Sequence, residues 1–361
     1  MNFNFYLLKS LRILLFPFSL LYGVVVKLRN FLFDKNIFKS VQFNLPIICV
    51  GNLVVGGTGK SPMVELLVDI LQHEYNVAIL SRGYKRKTKG YILANTNATA
   101  IDIGDEPMQF HIKFSNVTVA VGEKRIEAIP QLLFDKPETQ LIILDDAFQH
   151  RTIKAGLNIL LTDYNNLYAH DFYLPTGDLR DDKRSAQRAN IIVVTKCPSN
   201  LPSTAKQNIS KTIHKKPQQH IYFTTIQYGM PYHISARHKT IPITESLEVL
   251  LVCGIANPAP LKQFLAKHAK AYYQQSYSDH QIFSIEDLKD IKEKFYTIHA
   301  TEKIILTTEK DAVRLLKFKE ALDDLPIYVI PIHHYFLFDE EPLFTAQVRY
   351  FIDNFQLQST H

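Results

Sequence analysis

Lys60 and Ser61 close the stretch Gly56-Gly57-Thr58-Gly59-Lys60-Ser61, and this grouping of residue types can grip phosphate. Glycines at Gly51, Gly56, Gly57 and Gly59 let backbone N–H groups turn inward. Lys60 can reach the outer phosphates, and the Ser61 hydroxyl can ligate magnesium. A consensus phosphate loop, G-x-x-x-x-G-K-[ST], carries glycine at the position of Val54, so the candidate nucleotide-binding run Val54, Val55, Gly56, Gly57, Thr58, Gly59, Lys60 and Ser61 departs from it at its first residue. The bland alternative is a glycine-rich β–α turn with no ligand. Glycine, lysine and hydroxyl coincide at the required places, with Lys60 as a candidate catalytic residue, and this favours phosphate binding. A second group, Asp145 and Asp146, follows the apolar run Leu141–Leu144. Carboxylates at the C-terminal end of a buried strand lie on the edge where open α/β sheets bind ligands, and at least one of this pair can hold magnesium opposite Ser61.

Other polar groups are less specific. Gly104-Asp105-Glu106-Pro107 makes a good turn on spacing alone. His280, next to Asp279, is a lone histidine, a type more often structural than catalytic. Arg82, Lys85 and Arg86 follow a strand, and Arg125, Arg151 and Arg180 lie in or near loops. Most such charges are solvated faces, although an anionic substrate would also want arginine forks. A guanine-nucleotide switch needs N-K-x-D, which neither Thr195-Lys196-Cys197-Pro198 nor Glu309-Lys310-Asp311 supplies. The deviant-loop ATPases need lysine where this chain has Val55.

The elements that must position these groups read as a mostly parallel α/β sheet. Leu45–Val50 is a buried strand, and from Ser61 onward Met63, Leu66, Leu67, Ile70 and Leu71 recur at helical spacing. Further strand candidates are Val77–Leu80, Val117–Val121, Leu141–Leu144, Leu157–Leu161 and Ile191–Thr195. We expect a nucleotide-binding lobe over 41–200 and a linker over 201–246, where HIYFTTIQYG and the following YHIS suggest a β-hairpin. A second α/β lobe is expected over 247–361.

At 361 residues and 46% hydrophobic content the chain can build two cores, and its net charge of +6 is mild. Three widely spaced cysteines suit the reducing cytosol. Residues 1–40 hold an uncharged run, Ile13–Val26, flanked by lysine and arginine. That run is shorter than the roughly 18 to 20 residues that span a bilayer. Pro17 and Gly23 weaken a straight helix, and no small-residue cleavage site follows. Either the helix dips into a membrane leaflet or it packs on the protein's own core. Its aromatics and basic flanks favour the membrane.

Taken together, the motifs VGNLVVGGTGKSP, SRGYKRK, GDEP, VGEKR, LDDAFQHR, LPTGDLR, the TK after a strand, a GI-NP turn, YSDHQIF and LTTEKDAVRL resemble, in order, the tetraacyldisaccharide 4'-kinase (lipid A 4'-kinase) family. The likeness runs from the apolar N-terminus to about residue 316. Ser61 stands where threonine is common, Lys85 where glycine repeats, Ala147 where glycine is usual, and Gln281 where a second histidine is frequent.

The resemblance implies a P-loop NTPase-like fold of two Rossmann-like lobes joined by a two-stranded linker, with a membrane-associated N-terminal helix. It implies ATP- and Mg2+-dependent phosphorylation of the 4'-hydroxyl of a tetraacylated glucosamine disaccharide 1-phosphate, giving lipid IVA, at the cytoplasmic leaflet of the bacterial inner membrane. No nucleic acid and no obligate protein partner is expected. By motif, Asp105 would be the general base, tuned by His280. Ser61, Asp145 and Asp146 would form the metal site with Glu106 nearby, and Arg82, Arg125, Gln149, His150 and Arg180 would line the active site. The rival readings are a soluble P-loop kinase of a small metabolite and a switch-type ATPase with no lipid substrate.

Overall fold

Short β-branched runs, buried along their whole length, build the central sheet of the first lobe. The computed structural model describes residues 12–322 and 324–355. The strands β1 (Ile47–Asn52), β2 (Val77–Ser81), β3 (Ile92–Leu93), β4 (Thr118–Val121), β5 (Leu141–Asp145), β6 (Leu157–Asp163), β7 (Ile191–Thr195) and β8 (His220–Tyr228) belong to one sheet. A second sheet takes β9 (Tyr232–His233), β10 (Ala236–Thr240), β11 (Glu248–Cys253), β12 (Ala271–Ser276), β13 (Lys303–Thr308) and β14 (Ile327–Ile330). The chain then returns, and β15 (Ile332–Phe336) pairs antiparallel with β8 at the edge of the first sheet. The strand order is 15-8-7-6-1-5-2-4-3 in the nine-stranded sheet and 10-9-14-13-11-12 in the six-stranded one.

Two features differ from the sequence expectation. The partner of His220–Tyr228 is not the nearby YHIS segment but Ile332–Phe336, so the joint between lobes is a ribbon of two strands far apart in sequence. The second sheet also ends at Ile330, and the residues that follow pack on the first lobe. A local turn signal cannot reveal pairing over such a separation.

The helices follow from spacing and capping. The first, α1 (Phe16–Asp34), extends past the uncharged run; with the turn before it, Ile13–Asp34 is long and apolar enough to cross a membrane by length and composition. Pro17 sits in its first turn, where no hydrogen bond is lost. Gly23 lies against the Tyr173 ring, and a Cβ there would come within 2.8 Å of it. The helix is inverted in polarity. Ser19, Gly23, Val26, Asn30 and Phe33 face the protein, whereas Phe18, Leu20, Leu21, Val24, Val25, Leu28 and Phe31 face outward. Ser19 hydrogen-bonds Thr176 at 2.7 Å, and Asn30 donates to Asp181 at 2.7 Å. An exposed apolar face of this extent is unusual for a water-facing helix.

Next, α2 (Lys60–Leu71) packs Met63, Val64, Leu67, Val68 and Leu71 against the sheet. The short α3 (Ala100–Ile103) leads through Gly104 into α4 (Asp105–Lys113), and α5 (Arg125–Asp135) and α6 (Ser203–Ile213) complete the first lobe's connections. In the second lobe lie α7 (Ala259–His268), α8 (Ile285–Tyr296), α9 (Glu309–Leu315) and α10 (Lys319–Leu322). Last, α11 (Glu341–Asp353) lays Phe344, Val348 and Ile352 on the core formed by α2 and the first sheet. Across the lobes α4 meets α9, and Lys113 bridges Glu65 of α2 and Glu309 of α9 at 2.8 Å each.

Candidate active site

The parallel pairing of β1 with β5 places Val50 opposite Asp145, so the glycine loop and the paired aspartates leave the same sheet edge side by side. Gly56 and Gly59 hold φ of +106° and +85°, conformations that other residues rarely adopt. Val54 explains its own departure from the consensus. Its backbone makes an antiparallel bridge to Leu179 and its side chain is buried, so extended geometry replaces the turn that glycine would serve.

Charge is dense beyond the loop. Lys60 Nζ lies 3.6 Å from Asp146 and 3.5 Å from Asn52 Oδ1. Arg180 donates to both carboxylate oxygens of Asp146, and to Asn52 Oδ1 at 2.6 Å. Burial alone would raise the Asp146 carboxyl, but Lys60 and then Arg180 outweigh it and hold it below its ordinary range. Asp145 behaves oppositely. Burial, reinforced by Asp146, pushes it up to about 6, although Ser81 donates to its Oδ2 at 3.0 Å. Burial also lowers Lys60, with Asp146 opposing.

A second cluster forms where α4 meets the other lobe. Asp105 opens α4, and its Oδ2 accepts from His280 Nδ1 at 2.9 Å and from Arg314 Nε and Nη2 at 3.0 and 2.8 Å. A carboxylate only accepts, so the imidazole Nδ1 carries the hydrogen in that contact. Among the described residues Oδ1 has no hydrogen-bond donor. Burial would raise this carboxyl, but Arg314 and His280 together hold it below the usual range. Glu106 receives Lys310 at 2.8 Å and is lowered in the same way, burial being outweighed by Lys310. The charge of Glu106 also reaches Asp145, which ties the two clusters.

The other sequence candidates divide. Gln149 Nε2 donates to the Asn52 carbonyl, and the Gln149 carbonyl accepts from Arg29 of α1 at 2.7 Å. Burial, then Arg125 and Arg82, lowers His150 to about 4, so it is neutral near pH 7. Arg82 is exposed. Arg125 opens α5. Its side chain is buried, donating to the carbonyls of Gly122 at 2.7 Å, Glu123 at 3.5 Å and Asp145 at 3.3 Å, so it braces the strand end that carries the aspartates.

Sequence reasoning did not single out Asn52, Lys310 or Arg314. For the last two a signal existed: the i, i+4 spacing in LTTEKDAVRL puts both cations on one face of α9. What it lacked was the opposing surface, since Asp105 and Glu106 lie about two hundred positions earlier.

Known proteins resemble this chain along nearly its whole length. A family model described as tetraacyldisaccharide-1-P 4'-kinase matches residues 11–352. The tetraacyldisaccharide 4'-kinase of Bacteroides thetaiotaomicron is 43% identical over 347 residues, covering 92% of this chain and 91% of that protein. That of Flavobacterium johnsoniae is 44% identical over 346 residues, covering 96% and 99%. The crystal structure of LpxK from Aquifex aeolicus in complex with ATP superposes with a TM-score of 0.74 at 27% identity, covering 95% of this chain and 99% of that one. Matched in this way over nearly its whole length, the chain belongs to the tetraacyldisaccharide 4'-kinase family.

Proposed function

We propose that Asp105 takes the proton of the acceptor hydroxyl while the loop ending in Lys60 and Ser61 holds ATP. The enzyme is an ATP-dependent kinase whose acceptor is the 4'-hydroxyl of tetraacyldisaccharide 1-phosphate. The observation that supports this assignment is the fixed Asp105 side chain: three nitrogens converge on Oδ2 and leave Oδ1 clear for the acceptor. As the hydroxyl oxygen bonds to the γ-phosphorus, the bond to the β,γ-bridging oxygen breaks, ADP departs, and the proton passes to Oδ1. A carboxylate held low by Arg314 is a weak base, yet phosphoryl transfer proceeds through a loose transition state in which proton removal lags, so placement matters more than basicity.

Lys60 and Arg180 supply positive charge where the transferred group gathers negative charge. The residues also suit Mg2+: Asp145, Asp146 and Glu106 offer hard oxygen donors, Ser61 would add its hydroxyl, and a divalent cation would relieve the repulsion that Asp146 and Glu106 exert on the buried Asp145. Among the described residues no three metal-ligating side chains cluster. When bound, the ion neutralises charge on the phosphates.

The outward apolar face of α1 supports attachment to the bilayer that holds the acylated substrate, on the cytoplasmic side where ATP is available. On fractionation the enzyme is expected in the membrane pellet at both low and high salt; recovery in the supernatant at either would remove the bilayer from the reading.

The direct test incubates enzyme with ATP, magnesium and tetraacyl disaccharide 1-phosphate and reads product mass. The expected product gains one phosphate on the distal sugar. ATP hydrolysis indifferent to the lipid would overturn the reading.

A stability prediction follows from Asp145. Its folded pKa near 6 lies above the unfolded value of 3.8, so ionisation penalises the folded state, in part above 3.8 and in full above about 6. Without magnesium, Asp145→Asn is therefore expected to raise Tm by a few degrees at pH 7.5 and to leave it unchanged at pH 3.5. Thermal melts at the two pH values check it; equal shifts at both would remove the electrostatic cause.

A further inference from the structure

Three consecutive carbonyls of the loop are each held by a side chain, two from strands β7 and β15 and one from the residue that follows β7. Lys196 Nζ donates to the Gly57 carbonyl and pairs with Asp163 at 2.8 Å. Thr195 Oγ1 donates to the Thr58 carbonyl at 2.9 Å, and His334 Nε2 lies 2.9 Å from the Gly59 carbonyl. A carbonyl only accepts, so His334 carries its hydrogen on Nε2. That leaves Nδ1 as an acceptor, and Thr224 Oγ1 donates to it at 2.9 Å. Burial lowers the imidazole to about 4, which keeps this neutral tautomer at working pH.

The position of the relay gives it meaning. Thr224 lies on β8 and His334 on β15, the two strands that join the lobes, and their pairing runs from Ile332 opposite Tyr228 to Phe336 opposite Thr224. Gly59 is the last loop residue before Lys60, and a Cβ there would stand 3.0 Å from the His334 ring, so ring and loop fit closely. A loop grips phosphate with N–H groups, and a carbonyl rotated inward would present a partial negative charge to the ligand. Tethering the carbonyls outward sets the amides before nucleotide arrives, and binding to a preset loop avoids the loss of affinity that a partly competent loop incurs.

We propose that His334 is a positioning residue for ATP: through Thr224, His334 and the Gly59 carbonyl, the ribbon between the lobes sets the shape of the phosphate loop. This rests on the loop being the ATP site. The test measures equilibrium Mg-ATP binding and separate KM values for ATP and lipid acceptor in wild type, His334→Phe, His334→Gln and Thr224→Val. Phenylalanine keeps the ring and removes the donor; it is expected to raise the ATP Kd about tenfold while the acceptor KM stays within twofold. Glutamine can return an N–H near the Nε2 position and is expected to recover affinity to within about threefold of wild type. Thr224→Val touches neither loop nor nucleotide, yet is expected to raise the ATP Kd about threefold by releasing the ring.

The proposal is overturned if His334→Phe binds ATP within twofold of wild type, if glutamine is as damaged as phenylalanine, or if both KM values rise together with a lowered Tm. Should His334→Phe not fold, Thr224→Val decides alone, and unchanged ATP affinity in it overturns the relay. Wild type that binds no Mg-ATP is a different result, which would sink the functional reading itself.

Discussion

Asp105→Asn is expected to lower kcat by about a thousandfold while leaving the Kd for Mg-ATP within threefold of wild type. Asparagine keeps the shape at the start of α4 and still accepts from Arg314, but it cannot take the hydroxyl proton. Arg314 retains Asp311 as a partner at 3.1 Å, so its charge is not stranded and the fold should hold. Nucleotide affinity should survive because the hydrogen bonds of Asp105 run to His280 and Arg314 of the other lobe, not to the phosphate loop. Because the wild-type carboxyl sits below the usual range, its ionised form persists as pH falls, and activity that depends on it is lost only on passing below that lowered pKa. Single-turnover kinetics beside a binding isotherm separates the two quantities. Turnover within tenfold of wild type would remove Asp105 from the base role.

Lys60→Ala should fail differently. The ammonium group lies between Asn52 and Asp146 and offsets two neighbouring carboxylates in a buried setting. Its loss removes charge that acts on the phosphates in ground state and transition state alike. The expectation is a fall in kcat of about 10²–10³ together with a rise of about tenfold in the ATP Kd. Lys60→Arg should not restore activity, since a planar fork does not fit a pocket shaped for a compact ammonium. Affinity unchanged in Lys60→Ala would mean that the lysine does not touch the nucleotide.

What could be read from the residues, and what could not, separates by distance along the chain. The glycine loop, the helix after it and the aspartates at the end of β5 are local patterns, and parallel strands with their helices repeat one short unit; all of these were legible. The pairing of β8 with β15 was not, because two strands a hundred residues apart carry no mutual mark in their own patterns. Arg314 escaped for the same reason: only the packing of α9 on α4 brings it to Asp105. The setting of Arg125 was hidden too. Nothing local says that its guanidinium is buried against three backbone carbonyls, one of them that of Asp145. Val54 shows the converse, a broken consensus that the fold renders harmless by pairing it with Leu179.

The N-terminal helix presents two different surfaces on opposite sides of one cylinder. Its inward stripe ties down the Gln149 carbonyl through Arg29, the Arg180 carbonyl through Tyr22, and Asp181 through Asn30. Excising the helix would therefore release the segments that carry Gln149, Arg180 and Asp181 along with the outward apolar face. Recoding only Leu20, Leu21, Val24, Val25 and Leu28 to hydrophilic residues, with Ser19, Tyr22, Gly23, Arg29 and Asn30 untouched, would change the outward surface and leave every one of those ties in place.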